Sequence, residues 1–242
     1  MKKVLITGSA SGLGACLAKS AKGRGYSVIG LDKTYCNLGE AAQVSDGGVD
    51  VKVACDLSDI DQVREAIREV KNTCRSTGLS LLINNACHFL MRPLGDLYLD
   101  SDLIRATTAN VIAPLLLTSG LRVEMERADN PMILNISSGS SRGGPFCAHY
   151  CMSKGALNSL AYAVNEEFRI NGNIRAINFI LGTLDTGFSN HEPHLAITPV
   201  YGKDPVIDPR KIAETVFDIF MSTDSMDFVD IEIKPNKKFV KR

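Results

Sequence analysis

The run His149-Tyr150-Cys151-Met152-Ser153-Lys154 sets a phenol and an ammonium four residues apart. On a helix the two would project from one face, one turn apart. An unperturbed tyrosine titrates near pH ~10. A neighbouring cation favours the phenolate, and a phenol lowered in this way can give and take protons near neutrality. The same spacing also suits an ordinary amphipathic surface. The pair gains chemical meaning only if other elements build a cleft around it.

The first such element is at the start of the chain. Val4-Leu5-Ile6 is a short apolar run of the kind buried on both faces of a parallel sheet. Thr7-Gly8-Ser9-Ala10-Ser11-Gly12-Leu13-Gly14 follows, then a helical stretch over 15–22 closed by Gly23 and Gly25. Strand, glycine-rich turn and helix together can cradle a pyrophosphate. The glycines let the backbone approach, and the helix start offers free N–H groups to an anion. A second strand over 26–31 ends at Asp32, eighteen residues after Gly14. A carboxylate there can accept hydrogen bonds from an adenosine ribose and would repel a 2′-phosphate, which favours NAD. Lys33 beside it could instead meet that phosphate, so NADP stays open.

Further along, Asp50 to Cys55 alternates toward a third strand, and Ser58 or Asp59 caps a helix running to about Cys74. A fourth strand over 79–83 leads into Asn84-Asn85-Ala86-Cys87. After a loop over 88–97, a long helix spans about 100–127, with Asn110 in its middle and Pro114 expected to kink or open it. A fifth strand over 131–136 ends at Ser137-Ser138 and is followed by a Gly/Ser loop and the Tyr150 helix, which runs to about Ile170. Strands over 173–180 and 228–233 flank a helix opened by Pro209. Residues 182–207 show no period, as expected of a lid within a compact domain. This βα alternation predicts an α/β, doubly wound Rossmann-type fold: about seven parallel strands, helices on both faces, one domain over 1–242. Ligands in such sheets sit beyond the carboxyl ends of the strands. Gly8 to Gly14, Asp32, Asn84, Ser138 and Gly182 would share that rim.

Composition narrows the function classes. Lys plus Arg and Asp plus Glu are both 27, so no net charge argues for nucleic acid. The basic residues Lys237, Lys238, Lys241 and Arg242 read as a solvated end. Seven cysteines, an odd number with no CxxC, argue against zinc or a disulfide framework and fit reduced thiols in the cytoplasm. No metal site is expected. The apolar run after Met1-Lys2-Lys3 is too short for a signal peptide, and no stretch approaches a membrane span.

Taken in order, these motifs resemble the short-chain dehydrogenase/reductase family in its compact single-domain branch. Thr7 to Gly14 is similar to its TGxxxGxG loop, Asp56-Leu57 to its adenine-holding pair, Asn84-Asn85-Ala86 to most of NNAG, and Tyr150 to Lys154 to YxxxK. The resemblance implies hydride transfer between NAD(H) and an alcohol or carbonyl. Tyr150 would exchange the proton and Lys154 would lower its pKa and bind the nicotinamide ribose. Ser138 would orient the carbonyl, and Asn110 would hold a water near Lys154. Cofactor contacts would come from Gly8, Ser11, Gly12, Leu13, Gly14, Asp32, Lys33, Asp56, Leu57, Asn84, Ala86, Tyr150, Lys154, Gly182 and Thr186. Partners would be a small molecule and further copies of the chain, as homodimer or homotetramer.

The chain departs from the family pattern at Cys87 (usually Gly) and Leu181 (usually Pro). The span from Ser138 to Tyr150 is one residue short, which makes Ser137 a rival for the serine role, and the final strand lacks a Gly-rich ending. Two other readings compete: an NADPH-dependent carbonyl reductase, and a non-catalytic dinucleotide sensor. His88, Phe89, His149, Phe188, His191 and His194 are candidates to face a substrate, although the lid histidines read as solvated loop residues with no assigned role, and Phe89, Phe146 and Phe188 point to an apolar or ring-bearing substrate.

Overall fold

A computed structural model describes residues 1–37, 48–90, 92–186, 206–222 and 228–236. The elements in order are β1 (Lys3–Thr7), α1 (Gly12–Gly23), β2 (Ser27–Asp32), β3 (Val51–Ala54), α2 (Ile60–Cys74) and β4 (Leu81–Asn84). Then come α3 (Asp100–Thr107), α4 (Ala113–Gly120), α5 (Arg122–Glu126), β5 (Met132–Ser138), α6 (Ala148–Asn171), β6 (Arg175–Leu181), α7 (Pro209–Ser222) and β7 (Asp230–Ile233). The strands form one parallel sheet in the order β3-β2-β1-β4-β5-β6-β7. The order reverses between β1 and β4, and a crevice opens there beyond the strand ends.

Apolar side chains alternate between two cores. Val4, Ile6, Val28 and Leu134 pack under α1 and α7, while Leu5, Ile29, Leu31 and Ile133 pack under α2, α4 and α6. Asp59 caps α2, accepting from the N–H groups of Asp61 and Gln62, so of the two cap candidates it is Asp59 that serves.

The helix expected over 100–127 is broken into three. Pro114 has no N–H to give the carbonyl of Asn110 four residues earlier, so the α ladder cannot continue there. The turn widens into a π-helical segment, Thr108–Ile112, in which Ala113 N–H reaches back five residues to Thr108. A second break at Leu121 separates α4 from α5.

A row of polar side chains crosses four strands in register: Asn84, Asn135, Asn178 and Asp230. The Asn84 amide donates to Asn135 (2.9 Å), Asn135 to Asn178 (3.2 Å), and Asn178 to Asp230 (2.9 Å), which also accepts from Tyr162 (2.7 Å). Asn135 and Asn178 also donate to the carbonyls of Leu157 and Asn158 on α6. The three asparagines are essentially inaccessible, and their mutual pairing satisfies most of the row's polar atoms, although the Asn84 side-chain oxygen has no partner among the described residues. Asn135→Ala would orphan the Asn84 amide nitrogen and the Asn178 side-chain oxygen together. It is expected to destabilise the fold by roughly 2 kcal/mol or more, at about 1–3 kcal/mol per buried orphan, as read from a denaturant midpoint.

Candidate active site

Three glycines shape the loop after β1. Gly8 and Gly12 hold φ of 67° and 53°, where a side chain is strained. A Cβ on Gly14 would overlap the Gly8 carbonyl and the Asn85 amide nitrogen. The loop is held from below. The Asn85 side chain donates to the carbonyls of Thr7 (2.8 Å) and Gly8 (3.2 Å), and the Thr7 hydroxyl accepts from the N–H groups of Asn85 and Ala86, both at 3.0 Å. Ser11 at the N-cap of α1 makes no side-chain capping bond. The first-turn N–H groups thus have no side-chain cap, and the residues fit a dinucleotide pyrophosphate.

Asp32 ends β2 on the same rim. One carboxylate oxygen accepts from Ala10 N–H (3.0 Å), and the other from Thr34 N–H (2.9 Å) and the Thr34 hydroxyl (3.0 Å). Its charge is therefore fixed beside the loop. Lys33 is exposed and acts electrostatically on Asp56 and His88. Asp56 accepts from the N–H and hydroxyl of Ser58. Leu13 and Leu57 have their side chains in the two cores, so only their backbones can serve a ligand. Asn84 turns its amide into the sheet row, away from the open crevice, because Asn135 is its register partner.

On the other side of the crevice, Tyr150 and Lys154 stand on the first turns of α6, on one face as the spacing predicts. Lys154 is buried; its ammonium donates to the Ile136 carbonyl at 2.7 Å and lies 5.7 Å from the centre of the Tyr150 ring. Ser138, the last residue of β5, hydrogen-bonds the phenol and accepts from Ser140 N–H at 3.1 Å. Ser137 is buried, with no partner for its hydroxyl, so geometry favours Ser138. Phe89 meets the Tyr150 ring edge-on, centres 4.9 Å apart.

The phenol itself departs from expectation. Burial pushes its pKa above the ordinary range, the nearby Cys87 adds to the rise, and the Ser138 bond only partly offsets them. The Lys154 ammonium bonds Ile136 and also faces the Cys87 thiol, which burial raises and Lys154 partly holds down. The protonated form of the Tyr150 phenol is thus favoured here. Cys87, at the position expected to need glycine, has no positive φ and so accommodates a side chain.

Asn110 does not offer its amide to a water beside Lys154. Its oxygen accepts from His88 N–H (2.7 Å), and its nitrogen donates to the His88 carbonyl (2.8 Å) and the Ser153 hydroxyl (3.3 Å). The side chain instead pins the segment after β4 to α6. His149 is buried behind Tyr150, its Nε2 3.0 Å from the Thr107 hydroxyl, and so does not line the crevice. Burial lowers the pKa of both His88 and His149 from about 6.5, with cationic neighbours adding at His88. The unfolded chain therefore takes up protons first. Stability present above pH ~6.5 is expected to fall as pH drops through the depressed folded values, and denaturant midpoints at pH ~7.5 and ~5.5 read the difference.

Thr186 lies over Gly12, where an added Cβ would meet it at 3.6 Å. Gly182 N–H donates to Ile233 O (2.9 Å). Leu181, unlike a proline, keeps its N–H and extends β6 by pairing with Ser138 and Ile233. The roots of the expected lid are clamped: Leu184 bridges Ile207, Ile207 N–H donates to Thr183 O (2.9 Å), and Asp185 N–H to Ile207 O (3.0 Å). Phe188, His191 and His194, with Pro193, Pro199 and Pro205, fall outside the described residues, as do Lys237, Lys238, Lys241 and Arg242.

A family model described as short chain dehydrogenase matches residues 2–194. The chain belongs to the short-chain dehydrogenase/reductase family. It is 30% identical to a fatty acyl-CoA reductase of Mycobacterium tuberculosis over 71% of this chain and 59% of that protein. It is 27% identical to the bovine (Bos taurus) dehydrogenase/reductase SDR family member 11, over 97% and 96%. The chain thus spans about three-fifths of the length of the first of these relatives. Two solved structures share the fold. The 3-ketoacyl-(acyl-carrier-protein) reductase of Brucella melitensis complexed with NADH has TM-score 0.81 and 23% identity, covering 96% of each chain. The alcohol dehydrogenase of Thermococcus sibiricus complexed with 5-hydroxy-NADP has TM-score 0.79 and 20% identity, again over 96% of each. Among the described residues no helix is long and apolar enough to cross a membrane, and no cluster could hold a metal.

Sequence reasoning missed two contacts of the short-chain dehydrogenase site. The thiol of Cys87 reaches Lys154, and the sulfurs of Cys147 and Cys151 lie 3.3 Å apart beside Tyr150. The second pair was open to notice as two cysteines one helical turn apart.

Proposed function

We propose that the protein is an NAD(H)-dependent oxidoreductase that reduces an apolar carbonyl compound, or oxidises the matching alcohol. The observation that carries this is the Tyr150 phenol hydrogen-bonded to Ser138 beside the crevice, with the Lys154 ammonium 5.7 Å from its ring centre. Bound NADH supplies the hydride. Ser138 holds the substrate oxygen, and Tyr150 gives it a proton as negative charge develops there. Lys154, buried and fixed by Ile136, stabilises the phenolate left behind and is placed to bind the nicotinamide ribose. Asn110 positions the Cys87–His88 segment that walls this side. The ring of Phe89 supports an apolar substrate, as do the relatives named for fatty acyl and ketoacyl groups.

The cofactor preference rests on Asp32. Its carboxylate is locked beside the loop by Ala10 and Thr34, where a 2′-phosphate would meet a fixed negative charge. Asp32→Ala is expected to narrow the ratio of NADPH to NADH dissociation constants by about tenfold or more, measured by fluorescence titration. An unchanged ratio removes the argument for NAD and favours an NADPH-dependent carbonyl reductase. The whole reading is tested by following nicotinamide absorbance with acyl-CoA thioesters, ketones, aldehydes, sugars and steroids. Cofactor binding without turnover on any of them would favour the dinucleotide sensor.

A further inference from the structure

We propose that Cys147 and Cys151 form an oxidisable dithiol, a modification site that closes to a disulfide beside Tyr150 and lowers turnover. The two sulfurs are 3.3 Å apart. Cysteines four apart within a regular helix would not normally converge so closely. Cys147 is the N-cap, with φ −133° and ψ 37°, and stands outside the helical phase. Its carbonyl accepts from Cys151 N–H at 2.8 Å, which fixes the two backbones one turn apart. Cys147 is 3% exposed and Cys151 half-buried. The attacking thiol is thus Cys151 and the resolving thiol Cys147.

The oxidant is a low-molecular-weight disulfide such as oxidised glutathione. Cys151 loses its proton to solvent, attacks one glutathione sulfur and expels the other half as a thiolate. Cys147 loses its proton in turn, attacks the Cys151 sulfur and expels the second glutathione. Two protein thiols give up two electrons, and one oxidised glutathione becomes two reduced ones. Burial pushes the Cys147 thiol up to about 12, so the second step is the slow one.

Closure has a structural cost. The sulfurs must approach from 3.3 Å to about 2.05 Å, the length of a disulfide. Phe89, Tyr150 and Cys151 pack against Cys147, so the movement is felt at the phenol. A displacement near 1 Å at a reacting group can cost up to about a hundredfold in rate. The turnover half of the proposal rests on the oxidoreductase reading; the bond itself does not.

The test equilibrates the whole protein in glutathione buffers from fully reduced to fully oxidised, quenches free thiols with an alkylating agent, and maps tryptic peptides. Arg142 and Lys154 bound one peptide holding both cysteines. The expected result is a peptide lighter by two hydrogens, restored by dithiothreitol and absent in Cys147→Ser and Cys151→Ser. Alkylation of both thiols in fully oxidised buffer, a persistent glutathione adduct on Cys151, or a bond mapped to Cys87 would each overturn the site. In parallel, oxidation is expected to lower wild-type turnover about tenfold or more, while Cys151→Ser keeps its own starting rate under the same oxidant. A bond that forms with turnover unchanged overturns the regulatory half. If the reduced protein turns over no substrate, the oxidoreductase reading fails, while the peptide masses still decide the site.

Discussion

Tyr150→Phe is expected to lower hydride transfer by about a hundred- to ten-thousandfold, the usual worth of a positioned proton donor. The change removes one oxygen and leaves the ring that packs against Phe89 and Cys147. Cofactor affinity should therefore stay within a few-fold, since Lys154 remains anchored on Ile136. Stopped-flow turnover and cofactor titration on the same preparation separate the two effects. Wild-type turnover in this variant would remove the phenol from the chemistry. Loss of cofactor binding in parallel would mean that the phenol holds the nucleotide rather than, or as well as, moving a proton.

Gly14→Ala acts at the opposite wall and on a different quantity. Its methyl group would occupy the space of the Gly8 carbonyl, which belongs to the backbone and cannot rotate aside, and would also press on Asn85. Either the loop shifts off the helix start or α1 tilts, and both spoil the approach of a pyrophosphate. Dinucleotide affinity is expected to fall a hundredfold or more, about 2.7 kcal/mol, with thermal stability reduced as well by overpacking. Isothermal titration with NADH reads the first effect and a melting curve the second. Unchanged affinity would mean that the nucleotide does not lie on this loop.

Much of this site is readable from residue order alone, because its parts are local. A strand, a glycine turn and a helix start occupy twelve neighbouring residues, from Lys3 to Gly14. The Tyr150–Lys154 face follows from helical period, and the cap of α2 narrows to Ser58 or Asp59 from their place before an amphipathic helix, the structure selecting Asp59. What local pattern does not carry is the fate of groups whose partners are distant in sequence. Asn84 reads as a rim residue until β5 is placed beside β4 and offers it Asn135. The choice between Ser137 and Ser138 depends on which one the end of β5 leaves on the crevice side. The π-helical turn needs two facts at once, a proline at 114 and a tertiary use for Asn110 that makes the widened turn worth keeping. Phe146, held at φ 60° just before the N-cap of α6, is likewise not legible from local pattern. Nothing about phenylalanine itself predicts a left-handed conformation. The height of the Tyr150 pKa depends on how deeply the phenol is covered, which spacing cannot reveal.

The asparagine row has a consequence for how the molecule comes apart. Because one line of amides joins four adjacent strands and α6, no single strand among them can leave without stranding its neighbours' hydrogen bonds. Amide protons of β4 to β6 and of the middle of α6 should exchange with deuterium through a shared opening, as one foldon, while segments outside the row can fray on their own. The proton-donating side of the crevice would then persist or vanish as a unit, whatever happens at the nucleotide side.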